Sequence, residues 1–155
     1  MRVVLQRVDN ASVEFDNTKN SIDKGLMVLL GITNDDTEKD IDYLIKKISN
    51  LRIFEDEDNK MNYSVQDIKG SILLVSNFTL YANTKKGNRP SFTNSMSYEA
   101  AKKMYELFIT KLKETNIPIK TGEFGAYMKI SLVNDGPVTI IIDSKEANLW
   151  KIINY

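Results

Sequence analysis

Apolar and polar positions alternate at Val3, Leu5 and the polar pair Gln6 and Arg7, and again over residues 12–16, so both segments read as short strands. Residues 17–20 form a polar turn between short strands. The stretch 25–32 is an unbroken apolar run closed by turn residues, the pattern of a strand buried on both faces. The period then changes. Ile41, Leu44, Ile45, Ile48 and Leu51 recur three and four apart, which predicts a helix capped by Asp36 or Thr37. Glu38, Asp40 and Asp42 sit in its first turns and Lys46, Lys47 and Arg52 near its end, the order the helix dipole favours. Residues 71–80 predict another strand. Ser97 caps a second helix with Ala101, Met104, Tyr105, Phe108 and Leu112 on one stripe. Segments 117–120, 127–133 and 138–143 read as three more strands. The tail from residue 146 onward is weakly helical, and its Trp150 is expected to act as a packing anchor.

Strands fall before, between and after the two helices. That order predicts an α+β fold with a mixed or antiparallel, barrel-like sheet and two main helices. No repeat, low-complexity tract or linker interrupts the pattern, so residues 1–155 are expected to form a single domain, with 144–155 as a C-terminal tail. A chain of 155 residues with 42% apolar content can fill such a core.

Composition narrows the chemistry. The chain contains no histidine and no cysteine. A Ser-His-Asp triad, a His or Cys zinc site and a Cys nucleophile are thereby excluded, and neither metal nor cofactor is expected. Twenty-one basic residues balance twenty-one acidic ones, so no overall positive charge draws the chain to nucleic acid. The balance is uneven along the chain: residues 1–58 carry a net −5 and the remainder +5. Residues 55–60 are acidic, but they lack the central Gly and distal Glu of a calcium loop and read as a solvated turn. Gln6 and Arg7 interrupt the first apolar run, which leaves no signal-peptide core. The most apolar stretch falls far short of the ~20 residues a spanning helix needs. A soluble, cytoplasmic protein without a membrane partner is the expectation.

Three segments are polar where their neighbours are apolar. Ser76-Asn77-Phe78-Thr79-Leu80 follows an apolar strand with hydroxyl, amide and hydroxyl in close order. Short polar side chains beside unpaired backbone N–H groups can build an oxyanion site without histidine; an ordinary strand with Phe78 and Leu80 inward is the alternative. Asn134-Asp135-Gly136-Pro137-Val138-Thr139 lies between two predicted strands and reads either as a plain hairpin connection or as a rigid pair of outward carbonyls. Residues 83–95 form a loop with Lys85, Lys86, Arg89 and Phe92 and no acid, which suits a nucleic-acid strand or simply solvent. Glu123 and Asp135 are available as acid–base groups, although no spacing rule pairs them.

In combination these pieces are specific. M-R-V-V-L-Q-R-V at the start, S-N-F-T-L, R-P-S-F after the basic loop and T-G-E-F-G-A-Y-M-K-I-S-L-V-N-D-G-P-V-T occur in one order. Together they resemble the D-aminoacyl-tRNA deacylase family over residues 1–143. The resemblance implies a homodimeric hydrolase that removes D-amino acids, and glycine, from tRNA. It implies that Gly136-Pro137 is cis and enters the partner subunit's site, where its carbonyls exclude L-aminoacyl groups. Ser76, Phe78 and Thr79 would then be the catalytic positions, with the Phe78 and Thr79 amides facing the ester carbonyl. Arg7 would anchor the Gly-Pro loop, and Met128 would lie beside the terminal adenosine. Asn77 stands where the family usually has Gln, which puts that side chain's hydrogen bond in question. The vicinal ribose hydroxyl of the tRNA would assist the attacking water. Three other readings stay open: an esterase with Thr79 or Ser76 as nucleophile and Lys as base, a non-catalytic nucleic-acid-binding dimer using the basic loop, and, by the same resemblance, a relative with Gly136-Pro137 trans that accepts small L-aminoacyl groups.

Overall fold

The computed structural model describes residues 1–148 and contains eight strands and two α-helices among them. In chain order these are β1 (Arg2–Phe15), β2 (Thr18–Ile22), β3 (Gly25–Gly31), α1 (Glu38–Asn50), β4 (Phe54–Glu55), β5 (Met61–Tyr63), β6 (Ser71–Ser76), α2 (Tyr98–Lys113), β7 (Ile119–Thr121) and β8 (Lys129–Asp143). The main sheet runs β2-β1-β3-β6-β7, with β8 on the other edge of β1. Pairings of β1 with β2, β3 and β8 are antiparallel, and those of β6 with β3 and β7 are parallel. The sheet curls far enough for Asn20 on β2 to donate to the carbonyl of Thr121 on β7 (2.7 Å). The expected mixed, barrel-like α+β fold is therefore what forms. None of the described helices is long and apolar enough to cross a membrane, and Trp150 lies outside the described residues.

The continuous apolar run becomes β3 because both its faces are covered. Leu26, Val28 and Leu30 join Ile72 and Leu74 of β6 under the helices, against Ile41, Leu44, Ile48, Phe108 and Leu112. Met27 packs with Leu73, Val75, Val8 and Val13 on the opposite face. Thr37 caps α1: its amide donates to the Asp40 carboxylate (2.7 Å), completing a capping box.

Several strand boundaries differ from expectation. The two short N-terminal strands are one, β1, because β8 pairs with it from Arg2 to Glu14 across the polar Asp9-Asn10. The expected turn at 17–20 lies largely within β2, which pairs with the far half of β1. Segments 127–133 and 138–143 are likewise a single strand. Gln6 pairs with Thr139 and Val8 with Asn134, so residues 135–138 bulge out opposite Arg7 alone. A hairpin at Asn134–Val138 is thereby ruled out. The bulge has a visible consequence in β1, where the buried residues change from Val3, Leu5 and Arg7 to Val8, Ala11 and Val13. One end of the strand thus feeds the helical core and the other the opposite core. The strand over 71–80 stops at Ser76, and Phe78–Tyr81 wind into a 3₁₀ turn. The acidic run at 55–60 turns between β4 and β5, with Asp56 accepting from the amides of Asp58 and Lys60 (both 2.9 Å).

A polar cluster joins the start of β1 to α1 and the end of β8. The Met1 amino group pairs with buried Asp36 and donates to Ser144 Oγ (2.8 Å). The Ser144 hydroxyl donates to Asp40 (2.6 Å), and Lys145 pairs with both Asp36 and Asp40. Burial alone would raise the Asp40 pKa. The bonds from Ser144, Thr37 and Lys145 outweigh it and bring the carboxyl down to about 2. A carboxylate so lowered stabilises the fold above its unfolded pKa of ~3.9, and that contribution fades as pH falls towards 2. After allowance for solvent screening it amounts to about 1 kcal/mol. Asp40→Asn is expected to lower the urea midpoint at pH 5, with the gap to wild type narrowing to about a third by pH 2.5. A gap that stays constant over that interval would refute the ionic origin.

Candidate active site

A cavity of about 750 Å³ opens at the carboxyl ends of the parallel strands β3 and β6. Its size falls in the range of small-molecule sites, ~300–1,000 Å³. The floor comes from Leu29, Leu30 and Val75, and one wall from the Ser76–Thr79 segment. The chain leaves β6 in register, with the Asn77 amide donating to the Leu30 carbonyl (2.8 Å). It then winds immediately into the 3₁₀ turn. Asn77 caps that turn: its side-chain oxygen accepts from the Thr79 amide (3.2 Å) and from the Thr79 hydroxyl. The Phe78 amide, first in the turn, has no intramolecular partner among the described residues, as expected for an N-terminal helical N–H. Phe78 itself is turned outward, 58% exposed, and meets Phe92 edge-on with ring centroids 5.1 Å apart.

The opposite wall is the connection from β7 to β8. Phe124 meets Tyr98 edge-on (ring centroids 5.3 Å apart) and packs tilted against Tyr105 (5.4 Å), and the buried Tyr105 hydroxyl donates to the Leu74 carbonyl (3.2 Å). Burial pushes the Tyr105 phenol well above its ordinary value, so it stays protonated and structural. Gly125 has φ +77°, and a Cβ there would lie 2.6 Å from the Tyr98 ring, so only glycine lets this wall close. Tyr127, Met128 and Ile130 complete the mouth.

Among the described residues, no carboxylate and no lysine lines the cavity. The hydroxyls of Ser76, Thr79 and Ser95 therefore have no side-chain base beside them, which removes support from a Ser or Thr nucleophile activated by Lys. Glu123 does not line the cavity, and Asp135 is engaged elsewhere by Arg7. The described residues also hold no cluster of acidic side chains able to bind a metal ion.

A second polar feature lies outside the cavity, at the bulge in β8. Arg7 is only 5% exposed. Its guanidinium donates to the carbonyls of Ile53 (2.7 Å) and Asp135 (3.1 Å) and pairs with the Asp135 carboxylate (3.1 Å). Asn134 closes the base of the bulge, accepting from the Val138 amide and donating to Thr139 Oγ1 (both 3.0 Å). Gly136 and Pro137 project into solvent, joined by a cis peptide bond.

A family profile described as D-Tyr-tRNA(Tyr) deacylase matches residues 4–143. The chain belongs to that family. Among the family's curated members, the D-aminoacyl-tRNA deacylase of Finegoldia magna is 58% identical over 146 residues, spanning 94% of this chain and 99% of the relative. The corresponding deacylase of Thermosipho melanesiensis is 56% identical over 149 residues, spanning 95% and 99%. A solved structure titled c-Myc DNA Unwinding Element Binding Protein superposes with a TM-score of 0.86 at 44% identity, covering 92% of this chain and 98% of that one. A probable eukaryotic D-amino acid tRNA deacylase shares the fold, with a TM-score of 0.80 at 18% identity and the same coverages.

In this deacylase-family chain, Ser76, Asn77, Phe78, Thr79 and Met128 come together around the cavity. Gly136, Pro137 and Arg7 do not; they form the separate bulge. Tyr98, Phe124 and Tyr127 also line the cavity, and neither composition nor period singles them out. The two glycines in T-G-E-F-G-A-Y were the available sign that a chain segment approaches closely there. The Asn77 side chain already holds the Thr79 amide, a contact that spacing along a strand could not foretell.

Proposed function

We propose that this chain is a hydrolase that cleaves the ester of D-aminoacyl-tRNA, and of glycyl-tRNA, with the 3′-terminal nucleoside bound in the cavity. Family membership supports the reaction type. The feature that carries the mechanistic reading is a roomy, mostly apolar cavity with hydroxyls and a free backbone amide but no acid–base side chain. Water adds to the ester carbonyl, the C–O bond to the ribose 3′-oxygen breaks, and the proton reaches that oxygen through the vicinal ribose hydroxyl. The substrate thereby supplies the proton path that the protein lacks. The Phe78 amide stabilises the developing oxyanion, a contribution of about 3 kcal/mol for one such donor. The Thr79 amide joins it only when Asn77 Oδ1 releases it. Ser76 and Thr79 orient the substrate, and Met128 packs against the nucleoside.

The second part of the reading is chiral selection by Gly136-Pro137 of a partner subunit. The loop is exposed, fixed from behind by Arg7, and sits on an edge strand. Among the described residues β8 pairs only with β1, and its exposed Ile130, Val133 and Ile141 suit a covering surface. A rigid backbone at the α-carbon rejects one enantiomer without a pocket for any particular side chain.

The test is hydrolysis of D-tyrosyl-, L-tyrosyl- and glycyl-tRNA by wild type and by Thr79→Ala. Cleavage of the D and glycyl esters only is the expected result. Thr79→Ala should keep kcat within about threefold, because the backbone donors remain. Equal cleavage of the L ester would refute chiral selection. Complete loss of turnover in a folded Thr79→Ala protein that still binds tRNA would make Thr79 a nucleophile or base.

A further inference from the structure

The basic loop is not accounted for by the ester-cleaving cavity alone. Between Asn83 and Ser91 the backbone closes on itself, with amide-to-carbonyl bonds in both directions (2.7 and 3.0 Å). Residues 84–90 therefore stand out as a hairpin-like arm, at most about 13 Å long for four residues a side. Lys85, Lys86 and Arg89 on this arm are exposed, and among the described residues none of them makes an ion pair. The segment 83–95 has no carboxylate of its own. Three unpaired cations without an internal counter-charge are a binding surface for a polyanion.

The arm is fastened to the rim of the cavity. Phe92, at its base, packs edge-on against Phe78 of the cavity wall. Ser95 Oγ donates to the Phe78 carbonyl (3.0 Å), and Thr33 Oγ1 donates to the Asn94 carbonyl (2.6 Å). A polyanion lying along the arm is thus led to the segment that carries the Phe78 amide.

We propose that Lys85, Lys86 and Arg89 hold the phosphate backbone of the tRNA acceptor strand whose terminal nucleoside occupies the cavity. The inference rests on the functional reading above and extends it from the esterified nucleoside to the preceding nucleotides. Phosphate contacts of this kind position a strand without reading its sequence. The arm contributes affinity and register, and the chemistry stays with the cavity.

The experiment compares wild type with Lys85→Ala/Lys86→Ala/Arg89→Ala in three assays: D-tyrosyl-tRNA hydrolysis, hydrolysis of the D-tyrosyl ester of adenosine, and binding of uncharged tRNA. With the triple variant, KM for the tRNA substrate should rise about tenfold or more at 0.1 M salt, with kcat within about twofold. The slope of log affinity against log salt for uncharged tRNA should shrink by about 2, the value for three lost contacts to a single strand. Hydrolysis of the adenosine ester should be unchanged. A charge-keeping Lys85→Arg/Lys86→Arg variant should bind tRNA as wild type does. An unchanged tRNA KM and salt slope would overturn the proposal. So would an equal loss on the adenosine ester, which would mean the loop merely shapes the cavity. If wild type cleaves neither ester, the catalytic reading fails, while the salt slope for uncharged tRNA still decides the role of the arm.

Discussion

Arg7→Met should lower the free energy of unfolding by about 2–4 kcal/mol, because two carbonyls lose a charged donor while the carboxylate partner, Asp135, is partly exposed and rehydrates. Two carbonyls, of Ile53 and Asp135, and the Asp135 carboxylate would lose their donor at once. In a domain of this length that corresponds to a fall in Tm of roughly 4–16 °C. Arg7→Lys should recover only a minor part, because one ammonium cannot reach partners on both the β4 side and the bulge as a planar fork does. In Arg7→Met the loop bearing Gly136 and Pro137 also loses its rear support, so selectivity for D- over L-tyrosyl-tRNA should fall even where the protein remains folded. Urea unfolding and the D/L rate ratio measure the two effects separately. A stability change under about 1 kcal/mol would show that the guanidinium is replaceable by packing.

The second large effect concerns Gly136. Its φ is +133°, and a Cβ there would lie 2.8 Å from Val138 Cγ2, 2.9 Å from the Val138 amide nitrogen and 3.3 Å from an Arg7 guanidinium nitrogen. Two of these neighbours belong to the bulge itself, so Gly136→Ala must re-aim the loop. A strained position of this kind costs about 1–3 kcal/mol. Turnover of D-tyrosyl-tRNA should drop on the order of 100-fold, equivalent to about 2.7 kcal/mol of barrier, while tRNA binding through the basic arm persists. If Gly136→Ala cleaves the D ester at the wild-type rate and still spares the L ester, the loop has no part in selection.

How far the fold and the site could be read in advance depends on how local the determining force is. Both helices were legible, because Ile41, Leu44 and Ile48, and Tyr105, Phe108 and Leu112, mark faces by period alone. β3 was legible for the same kind of reason, being apolar on both faces. The continuity of β1 and β8 is not legible locally because each sets it for the other: polar Asn10 and Asn134 are held in the ladder by Val133 and Val8, and β8 resumes at Thr139 after residues 135–138 bulge out. Thr18–Ile22 is almost wholly polar and becomes a strand only by pairing with Ala11–Phe15. The site divides in the same way. Ser76 to Thr79 was visible as a polar interruption, and the cavity does form there. The opposite wall was not, since Tyr98 and Phe124 are brought together by the packing of α2 against the β7–β8 connection. The 3₁₀ turn is not legible in the pattern because one side-chain cap, Asn77, decides it.

The long ladder between β1 and β8 has a bearing on biosynthesis. Arg2 finds Asp143 as its partner, so one edge of β1 must await residues synthesised 141 positions later. At roughly 5–20 residues per second, translation leaves that edge bare for on the order of ten seconds. The polar Gln6, Asp9, Asn10 and Glu14 punctuate it meanwhile, discouraging union with neighbouring nascent chains until its own complement emerges from the ribosome.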